Sequence, residues 1–326
     1  MSLEDDLRNL EKECWNRVYK LYFVAEADLP TVLCHYTSLA GLEGILRSGR
    51  IWATNVPYLN DPDELIHGQR MFEALIDKTQ REAKDSLARA FYGRCKQNLG
   101  QWPSLKDLRW DYYCTSLTAR RDDLSLYRAY SAQGAGYCIG FDTAQLVKNI
   151  AQIHWAAGGF FRLVKMYYDG NTGKTSFEEE LLAAEGVARD LTERYATCED
   201  NILRRLSSDL VRRASLLAFV LKEQGFQYED EWRIITNPLP GLASLPSERR
   251  MRTKSRDGIL VPYLEIPVTD QGNRHTALKE IYIGPELPYE KANNGLLKLL
   301  CELREDKGPA TIVELPKIFP SSTALR

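Results

Sequence analysis

The chain has 326 residues, 44% hydrophobic and 27% charged, with a formal net charge of -2. That length allows roughly one to three domains and ample apolar chain for a core, and the near-neutral balance excludes a protein that coats nucleic acid by bulk basicity. The seven cysteines are dispersed, with no C-x-x-C and no paired spacing, which reads as reduced thiols and not as a disulfide framework or a zinc site.

Residues 3 to 22 place Leu3, Leu7, Leu10, Cys14, Val18 and Leu21 three and four apart, the pattern of an amphipathic helix. Packing on the domain that follows is its first reading, and a homodimer contact is the second. The opening fifteen residues carry neither a basic stretch nor an apolar run, so no secretory leader is expected. No apolar run nears the roughly 20 residues that span a bilayer, so no membrane partner is expected and the expected address is the cytoplasm.

Next, "TVLCHYT" reads as a strand, "LAGLEGILRSG" as a helix ended by Gly49, and "RIWATN" as a second strand. "VPYLNDPDE" gathers turn residues and leads into a helical stretch from 64 to 95 that no proline interrupts. "WDYYCTSL" reads as a strand, "DDLSLYRAYSA" as a short helix and "GYCIGFD" as a strand, followed by a helix from Thr143 and the strand "FFRLVKMYY". Residues 176 to 225 form a helix pair. Arg204, Arg205, Arg212 and Arg213 lie off the apolar stripe of its second helix, on a basic flank. Strands return in "YEDEWRIIT", "GILVPYLEIPV" and "LKEIYIGPEL", then a helix "NNGLLKLLCELRE" and a strand "ATIVEL". The expected class is α+β with a mostly antiparallel sheet. The expected organisation is an N-terminal helix over 1–28 and one domain over 29–326, with 170–225 as a helical insertion.

The chain has no P-loop, G-x-S-x-G or H-E-x-x-H. "GAGYCIG" misses the dinucleotide fingerprint, because its third glycine comes one residue late and the segment enters a strand. Four segments do stand out. They are His35-Tyr36-Thr37 near a strand end, the carboxylate-rich "LNDPDE" with Asn60 and Asp61, Ser116 with Tyr127 and Tyr130 on one helical face, and Glu229 and Glu231 at the entrance to an apolar strand. Period two would point the two glutamates to one side. The bland readings are a core role for the tyrosines, a helix cap for "NDPDE", and a Glu231–Arg233 pair across solvent.

Taken together, a histidine, a few aromatics and a Glu-x-Glu suit cleavage of an N-glycosidic bond. A carboxylate stabilises the positive charge that develops on the ribose, an imidazole holds a second hydroxyl, and aromatic faces sandwich the leaving base. No metal is needed.

The ordered segments "HYTSLAGLEGILRSGRIWATNVPYLNDPDE", "YCTSLTARRDDLSLYRAYSAQGAGYCIGFD", "FVLKEQGFQYEDEWRII" and "LKEIYIGPEL" resemble a mainly bacterial domain-of-unknown-function family. Its pattern is H-Y-T, L-N-D-P-x-E, S-x-x-x-D-x-L-x-M-W-x-x-Y, G-x-x-I-G-F and Y-E-x-E-W-R. That family is grouped by fold with the ADP-ribosyltransferases, and the match spans about His35 to Gly284. The resemblance implies split antiparallel sheets with flanking helices and an NAD-consuming transferase, a bacterial defence or toxin-like effector. It implies that His35 contacts the NAD ribose, with Tyr36 and Thr37 beside it. Tyr130, or else Tyr127, stacks on the nicotinamide, and Ser116 ends the second motif strand. Glu231 stabilises the oxocarbenium ion, Glu229 orients the acceptor, and Asn60 and Asp61 border the substrate. Where the family has Met-Trp this chain has Leu126-Tyr127, which leaves open which ring stacks.

The acceptor is a protein, a nucleic acid or a small molecule. "ERRMRTKSR", 248 to 256, offers five basic residues in a loop that would suit phosphates, against the reading of a solvated loop. Two other functions compete. One is a non-catalytic NAD- or nucleotide-binding module. The other is a Mg²⁺-dependent phosphodiesterase using Asp61, Asp63, Glu64, Glu229 and Glu231.

Overall fold

A computed structural model describes residues 2–22, 28–59, 63–100, 112–157, 160–168, 172–237, 251–256, 258–269, 276–305 and 314–323. In chain order its elements are α1 (Leu3–Tyr22), β1 (Val32–Thr37), α2 (Leu39–Ser48), β2 (Arg50–Asn55), α3 (Asp63–Glu82), α4 (Ser86–Leu99), β3 (Tyr113–Thr118), α5 (Leu124–Tyr130), β4 (Tyr137–Asp142) and α6 (Thr143–Ala157). They continue with β5 (Phe160–Lys165), β6 (Tyr167–Tyr168), α7 (Thr172–Arg194), α8 (Glu199–Ala218), β7 (Leu221–Lys222), β8 (Glu231–Asn237), β9 (Arg252–Arg256), β10 (Ile259–Pro267), β11 (Leu278–Ile283), α9 (Tyr289–Glu305) and β12 (Lys317–Pro320). The chain is α+β and divides into two compact units.

The first unit collects Met1–Phe23, Asn60–Trp110 and Lys165–Tyr228. It holds α1, α3, α4, α7, α8 and the short parallel pair β6–β7. Here the N-terminal helix and the 170–225 helices join one helical unit with α3 and α4. The expected continuous helix over 64–95 is two helices. Asp85 caps α4 by accepting from the Ala88 amide at 2.9 Å, and a helix start needs such an acceptor for its orphan amides. Leu7 and Cys14 of α1 are buried, while Arg205 of α8 reaches Glu4 and Glu11 of α1, both at 2.7 Å. The basic flank expected on α8 is therefore largely tied internally. Arg213 is 2% exposed and engages Asp209 and Glu180, so it lies inside the unit and not on a solvated face.

The second unit, Val24–Leu59, Asp111–Val164 and Glu229–Arg326, carries the sheet. Strand order is β12-β11-β4-β1-β3-β2-β10-β9, with β8 paired to β3 and β5. All of its described registers are antiparallel except β11–β12. One face packs Leu33, Leu117, Ile139, Trp232 and Ile266 under α2, α6 and α9. The other face buries Val32, Cys34, Tyr36 and Cys138 against Leu126 and Tyr127 of α5. Helix α2 begins at Ser38, whose hydroxyl accepts from the Gly41 amide, and stops at Gly49, whose φ of 64° suits glycine.

Three sequence expectations shift in detail. "FFRLVKMYY" is two strands, β5 and β6, and the division between units falls between Val164 and Lys165. The described part of the basic segment 248–256 is largely strand β9 and not loop, because its backbone pairs with β10 from Arg252↔Tyr263 to Arg256↔Ile259. The last strand is "KIFP", where Lys317 to Pro320 pair in parallel with β11, while Glu314 and Leu315 of "ATIVEL" are not in a strand and 310–313 lie outside the described residues. No described helix is long and apolar enough to cross a membrane. The seven cysteines form no disulfide.

Candidate active site

Strand β3 organises the site because its two edges are used differently. Along one edge, β8 pairs with it throughout, from Tyr113↔Thr236 to Thr118↔Glu231. The other edge is shared. Thr118 pairs with Cys34 of β1, whereas Cys114 pairs with Thr54 of β2. Between those contacts β1 has peeled away and β2 has not yet joined. Ser116 lies at that split.

His35 fills the gap. Its Nδ1 stands 3.0 Å from the Ser116 carbonyl oxygen, and a carbonyl only accepts, so Nδ1 carries the proton. Burial pushes the imidazole pKa below its ordinary 6.5, the Ser116 hydrogen bond pulls it up, and the charge of Lys254 pushes it down. The ring is thus neutral at pH 7 and offers Nε2 as an acceptor. Strand alternation would send His35 to the side of Leu33, yet its Nδ1 turns to the β3 backbone, and the charge of Lys254, whose register puts it on the opposite side, acts on the ring.

Antiparallel partners share a side, so Ser116, Thr118, Glu231 and Arg233 stand on one face. Glu231 and Arg233 are each 4% exposed and form a bidentate pair, Nε–Oε1 2.7 Å and Nη2–Oε2 3.1 Å. The pair expected across solvent is therefore buried. Glu229 is buried too and accepts from the Tyr130 hydroxyl at 2.7 Å. It closes the 3-10 turn Gln224–Glu229, and β8 begins only at Glu231 after Asp230, whose φ is +42°. Alternation therefore does not run through Asp230 to link the two carboxylates, and each has its own partner. The corner is pinned to β3, since Thr118 Oγ1 donates to the Glu229 carbonyl at 2.6 Å and the Ala119 amide to the Asp230 carbonyl at 3.2 Å.

The tyrosines divide by environment. Tyr127 is fully buried and meets the Tyr36 ring edge-on at 5.0 Å, whereas Tyr130 is 42% exposed. Tyr36 itself is 7% exposed, and its hydroxyl donates to the Arg120 carbonyl and accepts from the Asp123 amide at 2.7 Å. Burial pushes both the Tyr36 and Tyr127 phenols up. Thr37 is half-buried at the end of β1, and a Cβ added to Gly136 would stand 2.5 Å from its carbonyl oxygen, so only glycine allows this approach. Ser116 lies two residues before the end of β3 with an exposed side chain. Asn60 and Asp61 lie outside the described residues. Among the described residues no group of three or more His, Cys, Asp or Glu is placed to hold a metal ion.

Sequence reasoning passed over Thr118, whose spacing of two from Ser116 was the signal. It also passed over Glu280, buried beside Gly140 with Arg121 Nε at 3.2 Å. These features define an α+β unit whose sheet splits beside Ser116, with His35 bonded to the β3 backbone and two buried carboxylates at the start of β8. Residues 126–234 match the model of a family described as "Protein of unknown function (DUF2971)", a span that takes in Tyr127, Tyr130, Glu229 and Glu231. No curated protein and no solved structure matches the chain.

Proposed function

We propose that this protein is an ADP-ribosyltransferase-like enzyme that cleaves the nicotinamide–ribose bond of NAD and transfers ADP-ribose to an acceptor. The observation that carries the reading is the three-strand register Cys34↔Thr118↔Glu231, which brings His35 within one residue and Ser116 within two residues of the level of Glu231, beside the split. His35 Nε2 accepts from a ribose hydroxyl. Tyr130 offers its exposed ring to the nicotinamide and its hydroxyl to Glu229. As the C1′–N bond breaks, its electron pair stays on the ring nitrogen and neutralises the pyridinium. Positive charge then develops on the ribose, where the Glu231 carboxylate stabilises it through a ribose hydroxyl. The acceptor nucleophile bonds to C1′ and passes its proton to Glu229. Protein, nucleic acid and small molecules all remain candidate acceptors.

The test is nicotinamide release from NAD by the purified chain beside Glu231→Gln, with and without EDTA. Release that survives EDTA and falls at least 100-fold in the variant, on the order of the loss of one electrostatic stabiliser, supports the reading. Release abolished by EDTA turns attention to the metal-dependent phosphodiesterase. The buried Glu231–Arg233 pair favours a second reading, a binding module without turnover, because the guanidinium already occupies the carboxylate. NAD binding by calorimetry without release, with or without candidate acceptors, identifies that case.

A further inference from the structure

Arg252 and Lys254 alternate along β9, which sets Arg252 opposite Tyr263 and Lys254 opposite Val261 of β10. Strand β10 then pairs Tyr263 with Thr54 and Glu265 with Trp52 of β2, and Thr54 pairs with Cys114 of β3. Period two therefore gathers Arg252, Lys254, Tyr263, Glu265 and Trp52 on the side that also carries Ser116 and Glu231. Lys254 Nζ hangs 4.9 Å from the Trp52 ring centre and 5.9 Å from that of Tyr263, and the two rings lie 4.5 Å apart. Trp52 is 37% exposed and Tyr263 only 7%.

The charges here do not balance. Glu265 is the carboxylate in the sequences of β2, β9 and β10, and it faces Arg252 at 3.4 Å and Arg50 at 3.9 Å. Among the described residues no carboxylate lies within ion-pair distance of Lys254. Burial and the Arg256 charge push its pKa down, and its own charge is felt at His35. A half-buried ammonium set among aromatic faces and other cations suits an incoming anion.

We infer that this face is a diphosphate subsite, where Lys254 and Arg252 hold the pyrophosphate of a dinucleotide whose ribose lies at His35, and Trp52 stacks on its adenine. The inference rests on the NAD reading of the His35 site. A dinucleotide fits better than a nucleic-acid strand on two grounds. The registers carry this face from Lys254 through β10 and β2 to β3, whose Ser116 carbonyl holds His35, so one dinucleotide laid along it meets both. Strands β2, β9 and β10 also offer one exposed ring, Trp52, where a nucleic-acid strand needs a series.

Calorimetric titration of the full chain with ADP, inorganic pyrophosphate, nicotinamide riboside and a ten-residue oligothymidylate tests this, in wild type, Lys254→Met, Lys254→Arg and Trp52→Leu. Expected is ADP and pyrophosphate binding that weakens about 10- to 100-fold in Lys254→Met and recovers in Lys254→Arg, while nicotinamide riboside is unaffected. Trp52→Leu should weaken ADP more than pyrophosphate. Equal ADP affinity in wild type and Lys254→Met overturns the inference, as does no ADP or pyrophosphate binding by wild type. Binding of oligothymidylate alone, lost in Lys254→Met, overturns it in favour of a nucleic-acid surface. ADP binding through Lys254 without nicotinamide release would defeat the transferase reading and leave the subsite standing. Release with a KM indifferent to Lys254→Met would defeat the subsite alone.

Discussion

Replacing Arg233 by leucine takes the guanidinium from a carboxylate that is 4% exposed, in a strand flanked by the buried Trp232 and Ile234. An exposed pair would contribute up to about 1 kcal/mol. A buried, two-pronged pair behaves otherwise, because the remaining charge keeps its desolvation cost and loses its compensation, so Arg233→Leu should destabilise the sheet unit by about 3–5 kcal/mol. The double variant Glu231→Leu/Arg233→Leu removes both charges and should return to within about 2 kcal/mol of wild type. Because the chain has two compact units, a single unfolding transition is not assumed, and native-state hydrogen exchange of the β8 amides is the local assay. At 1.4 kcal/mol per factor of ten, the single variant should speed exchange through unfolding about a hundredfold to a few thousandfold. An acceleration under about fivefold, or a double variant as fast as the single, would refute the claim that this pair is buried and coupled.

The remaining predictions concern His35 and the tyrosines. The folded pKa of His35 lies below the unfolded 6.5, so as pH falls the unfolded chain takes up the proton first. Its stability contribution is complete above about pH 6.5 and is lost as pH drops toward the folded pKa; urea midpoints at pH 7.5 and 5.0 should differ less in His35→Gln than in wild type, and equal pH slopes would show the ring is not buried. NAD affinity should fall over the same acidic range, because protonated Nε2 no longer accepts. Tyr127→Leu, at a wholly buried site, should cost about 2–4 kcal/mol in urea denaturation, whereas Tyr130→Ala should cost under about 1 kcal/mol and weaken NAD binding. A larger stability loss at Tyr130 than at Tyr127 would invert that assignment.

The amphipathic spacing of α1, the terminal Gly49 of α2, and the apolar runs of β1, β4, β10 and β11 were legible because they depend on neighbours in sequence. The sequence also singled out His35, Ser116, Tyr130, Glu229 and Glu231 as candidates for one site, a reading that the NAD experiments above address. Other features depend on partners far along the chain. The break before α4 was missed because its cue was an Asp85 cap and no proline. The split beside Ser116 exists because Cys34 and Thr54 pair with different ends of β3, a register that no local pattern encodes. Arg233 reads like a solvated partner in "EWR", and only the strands and helices around it exclude water from the pair. "RTKSR" reads as a charged loop until pairing with β10 sets Lys254 over Trp52, about two hundred residues earlier. Sequence periodicity determined the faces of individual elements, while the tertiary structure decided which faces meet, because burial and charge pairing are properties of neighbours in space.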